Sequence, residues 1–451
     1  MTGKGLSSKL WVLSKGIAEK VNEYENIGKI AKIKRLYVKP KVDQFEYKEG
    51  GTSYRTSFNY VEREEWHWKD QFDFIEKVIK QLPSYGEIVS EISKKYKVDE
   101  SQADFWLTRF VQILVQKVLE GVTDEILVDD ITTFVADLEK SPIEWKLKIW
   151  IDGVWLEDEE YEIYEGLRVR RPKPSDLETE KPFDLLPFPT MPPSFRDFSS
   201  AILELTHRSR SPSEAQKEIK KILNCLRLFR VGSVFSIKYE MRPKSFLASG
   251  GTISSGQRFA PTYKYPISKQ DISKLKDFIG KIKNLLPDET LQIESGKIDP
   301  IACALQRYND ALLKPERIES RITSAITCFE ALYLKAEERM ELSHRLSQRA
   351  SVLLKAFEFR PLEVYNTLSQ AYDIRSTFIH GSHIRLEERK SATKIAEKIL
   401  EWARASLLIF FQLRHLVNKE KLIGRIDNSL LEERVYSKLK ELLNENCTIY
   451  Q

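Results

Sequence analysis

The apolar positions change period several times along the chain, and each change predicts a different kind of element. In residues 1–65, short alternating runs such as Ile33-Lys34-Arg35-Leu36-Tyr37-Val38 predict a few strands joined by loops. From Asp70 to about Ser141 the spacing turns helical. Phe74, Val78 and Leu82 form one stripe, and Phe105, Phe110, Ile113, Leu114 and Val118 form another. Asp99 or Ser101 can cap this second helix and Gly121 can end it.

Residues 145–171 alternate with period two. Asp152-Gly153 separates two strand-like runs and predicts a hairpin, because both residue types tolerate positive φ. Seven prolines between 172 and 194 forbid helix and central strand, so that stretch is expected to be an extended connector. Beyond it, Ala201–Thr206 reads as a strand. Ser211-Pro212-Ser213-Glu214 reads as a capping box with proline at the first helical position, opening a helix to about Phe229. A strand over Ser233–Met241 and a helix over Lys269–Leu286 complete this part. After Pro300 helices are expected near 302–313, 316–338, 341–358, 361–379, 388–418 and 430–444.

The pattern implies a multidomain α+β chain: mixed strand and helix in the N-terminal and central regions, then an all-helical bundle. The expected divisions are 1–142, 143–290 and 291–451. A length of 451 residues is too great for one ordinary core. Hydrophobic residues at 41% and charged residues at 31% exclude a disordered chain. No apolar run approaches the roughly 18 residues of a membrane span, and Lys9 and Lys15 interrupt the N-terminal apolar residues, so no membrane partner and a cytoplasmic address are expected. The four cysteines and six histidines are scattered without CxxC or HExxH spacing, which leaves no metal-ligand set and no disulfide framework to expect. No cofactor is implied. The net charge of +5 is compatible with transient contact with nucleic acid and with much else.

One residue stands against its pattern. Arg375 interrupts the apolar stripe Val364, Leu368, Tyr372, Phe378, Ile379. A guanidinium that never loses its charge is costly on a packing face without an anion. Glu330, Asp373, another subunit or a substrate phosphate could supply it. His380 follows five residues later, with Gly381 beside it. The glycine predicts that the helix ends there, which places the imidazole at a terminus from which it can swing towards Arg375.

The segment Asp373-Ile374-Arg375-Ser376-Thr377-Phe378-Ile379-His380-Gly381 resembles the R-x4-6-H signature of HEPN domains, in the YdxRSxxxHG form of the Apea-like HEPN family. Upstream, Arg321 to Leu332, with Glu330 at the family's glutamate, is similar to its first core helix. Glu341 to Ala350 is similar to its second. The similarity covers roughly the last third of the chain. It implies an all-α domain that forms a homodimer with two motifs in one cleft. It also implies metal-independent RNA cleavage in toxin or phage-defence settings, under the control of a trigger or antitoxin. On that reading Arg375 and His380 are catalytic, and RNA is the partner. Arginine offers donors to phosphorane oxygens, and histidine moves protons near neutrality.

Each candidate also has a plainer reading. Arg375 and His380 fit a structural pair at the dimer interface of a catalytically silent scaffold. Glu330 either orients Arg375 or is a helix-edge carboxylate. Asp373 and Ser376 either support the site or solvate the helix. Arg345 and Arg349, four apart on one face, either steer RNA phosphates or pair with Glu341 and Glu338. His383 fits a solvated loop. Gly251 to Gly256 has P-loop glycine spacing but continues Gln257-Arg258 in place of the required Lys and Ser/Thr, so it is expected to be a loop between strands. The Arg168, Arg170, Arg171, Lys173 and Arg208, Arg210 clusters read as strand ends or phosphate contacts, and Trp66-His67-Trp68 as packing aromatics or a base-stacking platform.

Overall fold

The computed structural model describes residues 5–26, 29–48, 51–68, 71–178, 181–182, 200–254, 261–287, 299–313, 317–381 and 386–449. The chain opens with a helix, α1 (Leu6–Asn26), where strands and loops were expected. Its buried residues Leu6, Leu10, Leu13, Ile17 and Val21 recur every three or four positions, a helical stripe that the lysines between them partly disguise. Two long strands follow, β1 (Ile30–Lys48) and β2 (Gly51–Trp68), paired antiparallel from Ile30↔Trp68 to Lys48↔Gly51 with one slip at Val42/Gln44.

Residues 71–138 are helical as expected. They form α2 (Gln71–Phe74), which runs into a π-turn at Ile75–Ile79, then α3 (Pro83–Tyr96), α4 (Glu100–Glu120) and α5 (Asp124–Leu138). The wider π-turn rotates the first stripe: Phe74, Ile75 and Ile79 are buried, and Val78 and Leu82 are only partly so. In α4 the Asp99 carboxylate accepts from the Gln102 amide at 2.8 Å, Ser101 lies inside the helix, and Gly121 ends it at φ +91°. Phe105 is 54% exposed, contrary to the expected stripe. It sits two residues from buried Leu107, about 200° round the helix.

The central region is built on a six-stranded sheet in the order β10-β9-β3-β8-β6-β5. Its strands are β3 (Ile143–Asp152), β5 (Glu160–Tyr164), β6 (Leu167–Arg170), β8 (Ala201–Ser209), β9 (Phe235–Lys244) and β10 (Gly251–Ser254). Asp152-Gly153 is not a hairpin. The chain leaves the sheet there, and β4 (Val154–Leu156) pairs in parallel with β11 (Tyr265–Ile267). Gly153 has φ +94°, and a Cβ on it would stand 2.4 Å from the Ser233 carbonyl oxygen, so the turn is set by close backbone approach. The tight hairpin lies instead between β5 and β6, at Gly166 with φ +87°. Gly251–Ser254 is a strand rather than a loop, and Ser255 to Gly256 lie outside the described residues. In the expected connector, α6 (Pro174–Leu177) and β7 (Lys181–Pro182) are formed, β7 pairing with β1. The stretch 183–199 lies outside the described residues.

Helices α7 (Pro212–Phe229) and α8 (Lys269–Ile282, continued by a 3-10 turn to Leu285) cover one face of the sheet. Ser211 Oγ accepts from the Glu214 amide at 3.3 Å, and Glu214 returns the bond to the Arg210 amide rather than to that of Ser211. The expected box is therefore half formed.

The C-terminal region is helical: α9 (Pro300–Leu313), α10 (Ile318–Tyr333), α11 (Leu342–Lys355), α12 (Pro361–Ile379), α13 (Arg389–Leu413), α14 (Lys419–Ser429) and α15 (Glu433–Asn446). The helix α14 was not anticipated. Two hydrophobic clusters are formed among the described residues. One runs from Leu6 to Leu138 and takes in Phe246, and the other joins described residues from Trp145 to Cys447. The change of cluster falls between Leu138 and Trp145, and the second cluster holds residues from both the described segment ending at 287 and the one beginning at 299. No helix among the described residues is long and apolar enough to cross a membrane.

Candidate functional site

The site is carried by α10 and by the end of α12. Pro361 occupies the first turn of α12, where no amide bond is lost. Its buried positions are Val364, Thr367, Leu368 and Ala371, and the next member of that row is Arg375. Ile379, expected on the stripe, is 55% exposed.

Arg375 Nη2 meets Glu330 Oε2 of α10 at 3.1 Å, and the guanidinium lies 5.4 Å from the centre of the Tyr372 ring. Burial pushes the Glu330 carboxyl above its ordinary range, opposed by the Arg375 charge and by a hydrogen bond from Tyr372. Burial also raises the Tyr372 phenol, with the Glu330 charge adding to it. Arg375 Nε is buried and has no partner among the described residues.

The helix ends where glycine predicted. The His380 amide reaches the Ser376 carbonyl at 3.2 Å, the Gly381 amide reaches that of Phe378 at 3.0 Å, and Gly381 adopts φ +85°. The His380 side chain is exposed. Among the described residues no hydrogen bond or ion pair joins it to Arg375. Of the three expected supporting residues only Glu330 touches Arg375. Asp373 is exposed, Ser376 is partly buried, and His383 lies outside the described residues.

Arg349 does not face a ligand. It is buried, and its five N–H donors are used on Asp427 (2.7 and 2.9 Å), Glu338 (2.8 and 2.7 Å) and the Tyr333 carbonyl (2.8 Å). Its geometry is that of a structural tie between α10, α11 and α14; of its two expected roles, the pairing with Glu338 is the one formed, and no donor is left for an RNA phosphate. Arg345 is partly exposed and pairs with Glu338 at 3.3 Å and Glu341 at 3.6 Å. The basic cluster at β6 is likewise occupied: Arg170 binds Asp176 and Glu204, Arg168 binds Glu204, and Arg171 donates to the Leu156 carbonyl. Arg208 pairs with Glu144 at 3.7 Å. Trp66 and Trp68 pack against the N-terminal cluster, and His67 is exposed.

Sequence reasoning missed Tyr372 as a clamp, reading it only as packing. It also missed the exposed contact between His344 Nδ1 and the Tyr365 hydroxyl at 2.9 Å. Among the described residues no three His, Cys, Asp or Glu side chains converge to hold a metal ion. Comparison of the chain with protein-family models, curated proteins and solved structures finds no match in any of the three.

Proposed function

We propose that the C-terminal helical region is a metal-independent endoribonuclease of HEPN type, working as a homodimer. The observation that carries this reading is Arg375: a cation continuing a packed helix face, clamped by Glu330 and Tyr372, five residues before an exposed histidine at the helix end. Holding a guanidinium there in one orientation is a cost for folding and a gain for phosphate recognition.

In the proposed reaction the ribose 2′-oxygen bonds to phosphorus, the bond from phosphorus to the 5′-oxygen breaks, and a 2′,3′-cyclic phosphate and a 5′-hydroxyl result. One His380 imidazole takes the 2′ proton. The imidazolium of the second copy gives a proton to the departing 5′-oxygen. Arg375 donates to the phosphoryl oxygens as their charge grows. DNA lacks the attacking hydroxyl and survives. The N-terminal and central regions act as sensor or restraint, in keeping with a toxin or phage-defence effector answering to a trigger or antitoxin.

A second reading, a non-catalytic dimerisation scaffold, is favoured by one observation: Glu330 already neutralises Arg375 within the chain. The test incubates the purified protein with total RNA in EDTA. Cleavage leaving cyclic phosphate ends is expected. Arg375→Ala and His380→Ala should each slow it by about 10²–10³ while still folding and dimerising. Arg375→Lys should rescue poorly, because a point charge cannot reproduce the planar fork. Wild-type rates in either alanine variant, or loss of fold in both, would leave the scaffold reading standing.

A further inference from the structure

The face of the six-stranded sheet turned away from α7 and α8 carries a groove of about 610 Å³ bordered by β3, β5, β6, β8 and β9. That volume falls in the range of clefts that take small ligands, roughly 300–1,000 Å³. The strand register lays the charges of this face out in rows. In one row Lys148 of β3 stands between Glu240 and Glu204, and Arg168 stands between Glu204 and Glu162. In another, Glu144 stands between Lys244 and Arg208. Signs alternate in both, as cross-strand stability demands.

The row between them breaks the rule. Lys146 is directly opposite Arg242 on one side and Thr206 on the other, with no carboxylate in line. Lys146 is exposed and has no ion pair or hydrogen bond among the described residues. Arg242 is 79% exposed on its side chain and commits one nitrogen to Glu240 at 3.1 Å. Like charges placed face to face weaken a sheet, so this row is built at the expense of the fold, in the floor of its groove.

We propose that this groove is a binding site for a small phosphate monoester, with the phosphate held by Lys146, Arg242 and the Thr206 hydroxyl. The carboxylates of Glu160 and Glu162, which also line the groove and are exposed, then accept hydrogen bonds from hydroxyl or amino groups on the rest of the ligand. The same carboxylates select against a polyanion. A strand of RNA laid along the groove would carry its next phosphates onto them. The ligand class is therefore a sugar phosphate or a mononucleotide. The inference concerns the central sheet and does not depend on the chemistry of Arg375 and His380.

Titration calorimetry on the full chain tests it, with ribose 5-phosphate, AMP, adenosine and a ten-nucleotide RNA as probes. At least one of the two monophosphates should bind and adenosine should not, and inorganic phosphate should compete. Lys146→Gln should weaken binding about tenfold or more, the loss of one charged hydrogen bond. Its melting temperature should be unchanged or higher, since a like-charge pair is relieved. Arg242→Gln should behave the same way and serves if the first variant folds poorly. Failure of both monophosphates to bind at millimolar concentration overturns the proposal. So does undiminished binding in both variants, or an RNA that binds through Lys146 where the monophosphates do not.

Discussion

Arg349 and Arg375 both sit on packed helix faces, and they differ in what remains after pairing. Arg349 spends every donor on its own chain, whereas Arg375, among the described residues, keeps an unpartnered Nε beside a single carboxylate. Arg349→Ala is therefore expected to destabilise the fold by about 3–5 kcal/mol in urea titrations, because it strands Glu338 without its main partner. The pH dependence follows. Hydrogen bonding to Arg349 holds the Glu338 carboxyl down to about 2, well below its ordinary value. The stability this gives is complete above the ordinary glutamate range and is lost as pH falls towards that value. In Arg349→Ala that acid sensitivity should diminish, which urea midpoints between pH 6 and pH 2.5 would reveal. The sequence made Arg375 conspicuous, because one stripe of one helix displays the contradiction. It offered Glu338 as a partner of Arg349 but hid Asp427, which lies 78 residues away on a helix that no pattern announced.

Local signals were legible at the level of elements wherever a single residue type decides the backbone. Ser211-Pro212 placed the start of α7, and the bounds Pro361–Ile379 of α12 were anticipated from Pro361 and Gly381. They failed where the outcome depends on what lies across the fold. Asp152-Gly153 has the composition of a hairpin turn, yet the approach of Ser233 sends β4 out to pair with β11, a strand more than a hundred residues later. Gly153→Ala adds a Cβ both to a left-handed backbone and to a gap already filled by the Ser233 carbonyl. A loss of roughly 2–5 kcal/mol in unfolding free energy is expected. A substitution tolerated within about 0.5 kcal/mol would mean that this turn is looser than its geometry implies. The helix α1 was missed for the opposite reason. Its stripe is regular, but the short alternating runs downstream coloured the whole segment as strand.

For the whole molecule, the central and C-terminal regions share more than proximity. Arg404 of α13 donates to the Leu228 and Phe229 carbonyls at the end of α7, the Tyr308 hydroxyl donates to the Arg227 carbonyl, and Ser233 donates to that of Leu312. These bonds cross the expected 290/291 boundary within one cluster of the described residues. A fragment of residues 291–451 should accordingly lack fixed tertiary structure, with weak near-ultraviolet dichroism. A fragment of residues 143–451 should fold. A well-folded short fragment would show that the helices pack independently of the sheet. Sequence composition could not reveal this coupling, since a domain boundary is read from local punctuation and a shared core is not local.

The link between the two clusters is narrower. Phe246, in the loop between β9 and β10, is buried beside Phe110 and Phe134, and the Asp137 carboxylate of α5 accepts from the Ser245 hydroxyl and from the Phe246 and Leu247 amides. Loop amides ordinarily trade their hydrogens with water within moments, but these two can do so only when the N-terminal helices let go of the sheet. Their deuterium uptake therefore acts as a clock for that separation. It should run faster in Asp137→Asn, while the amides in the middle of β3 keep the slow rate of the sheet itself.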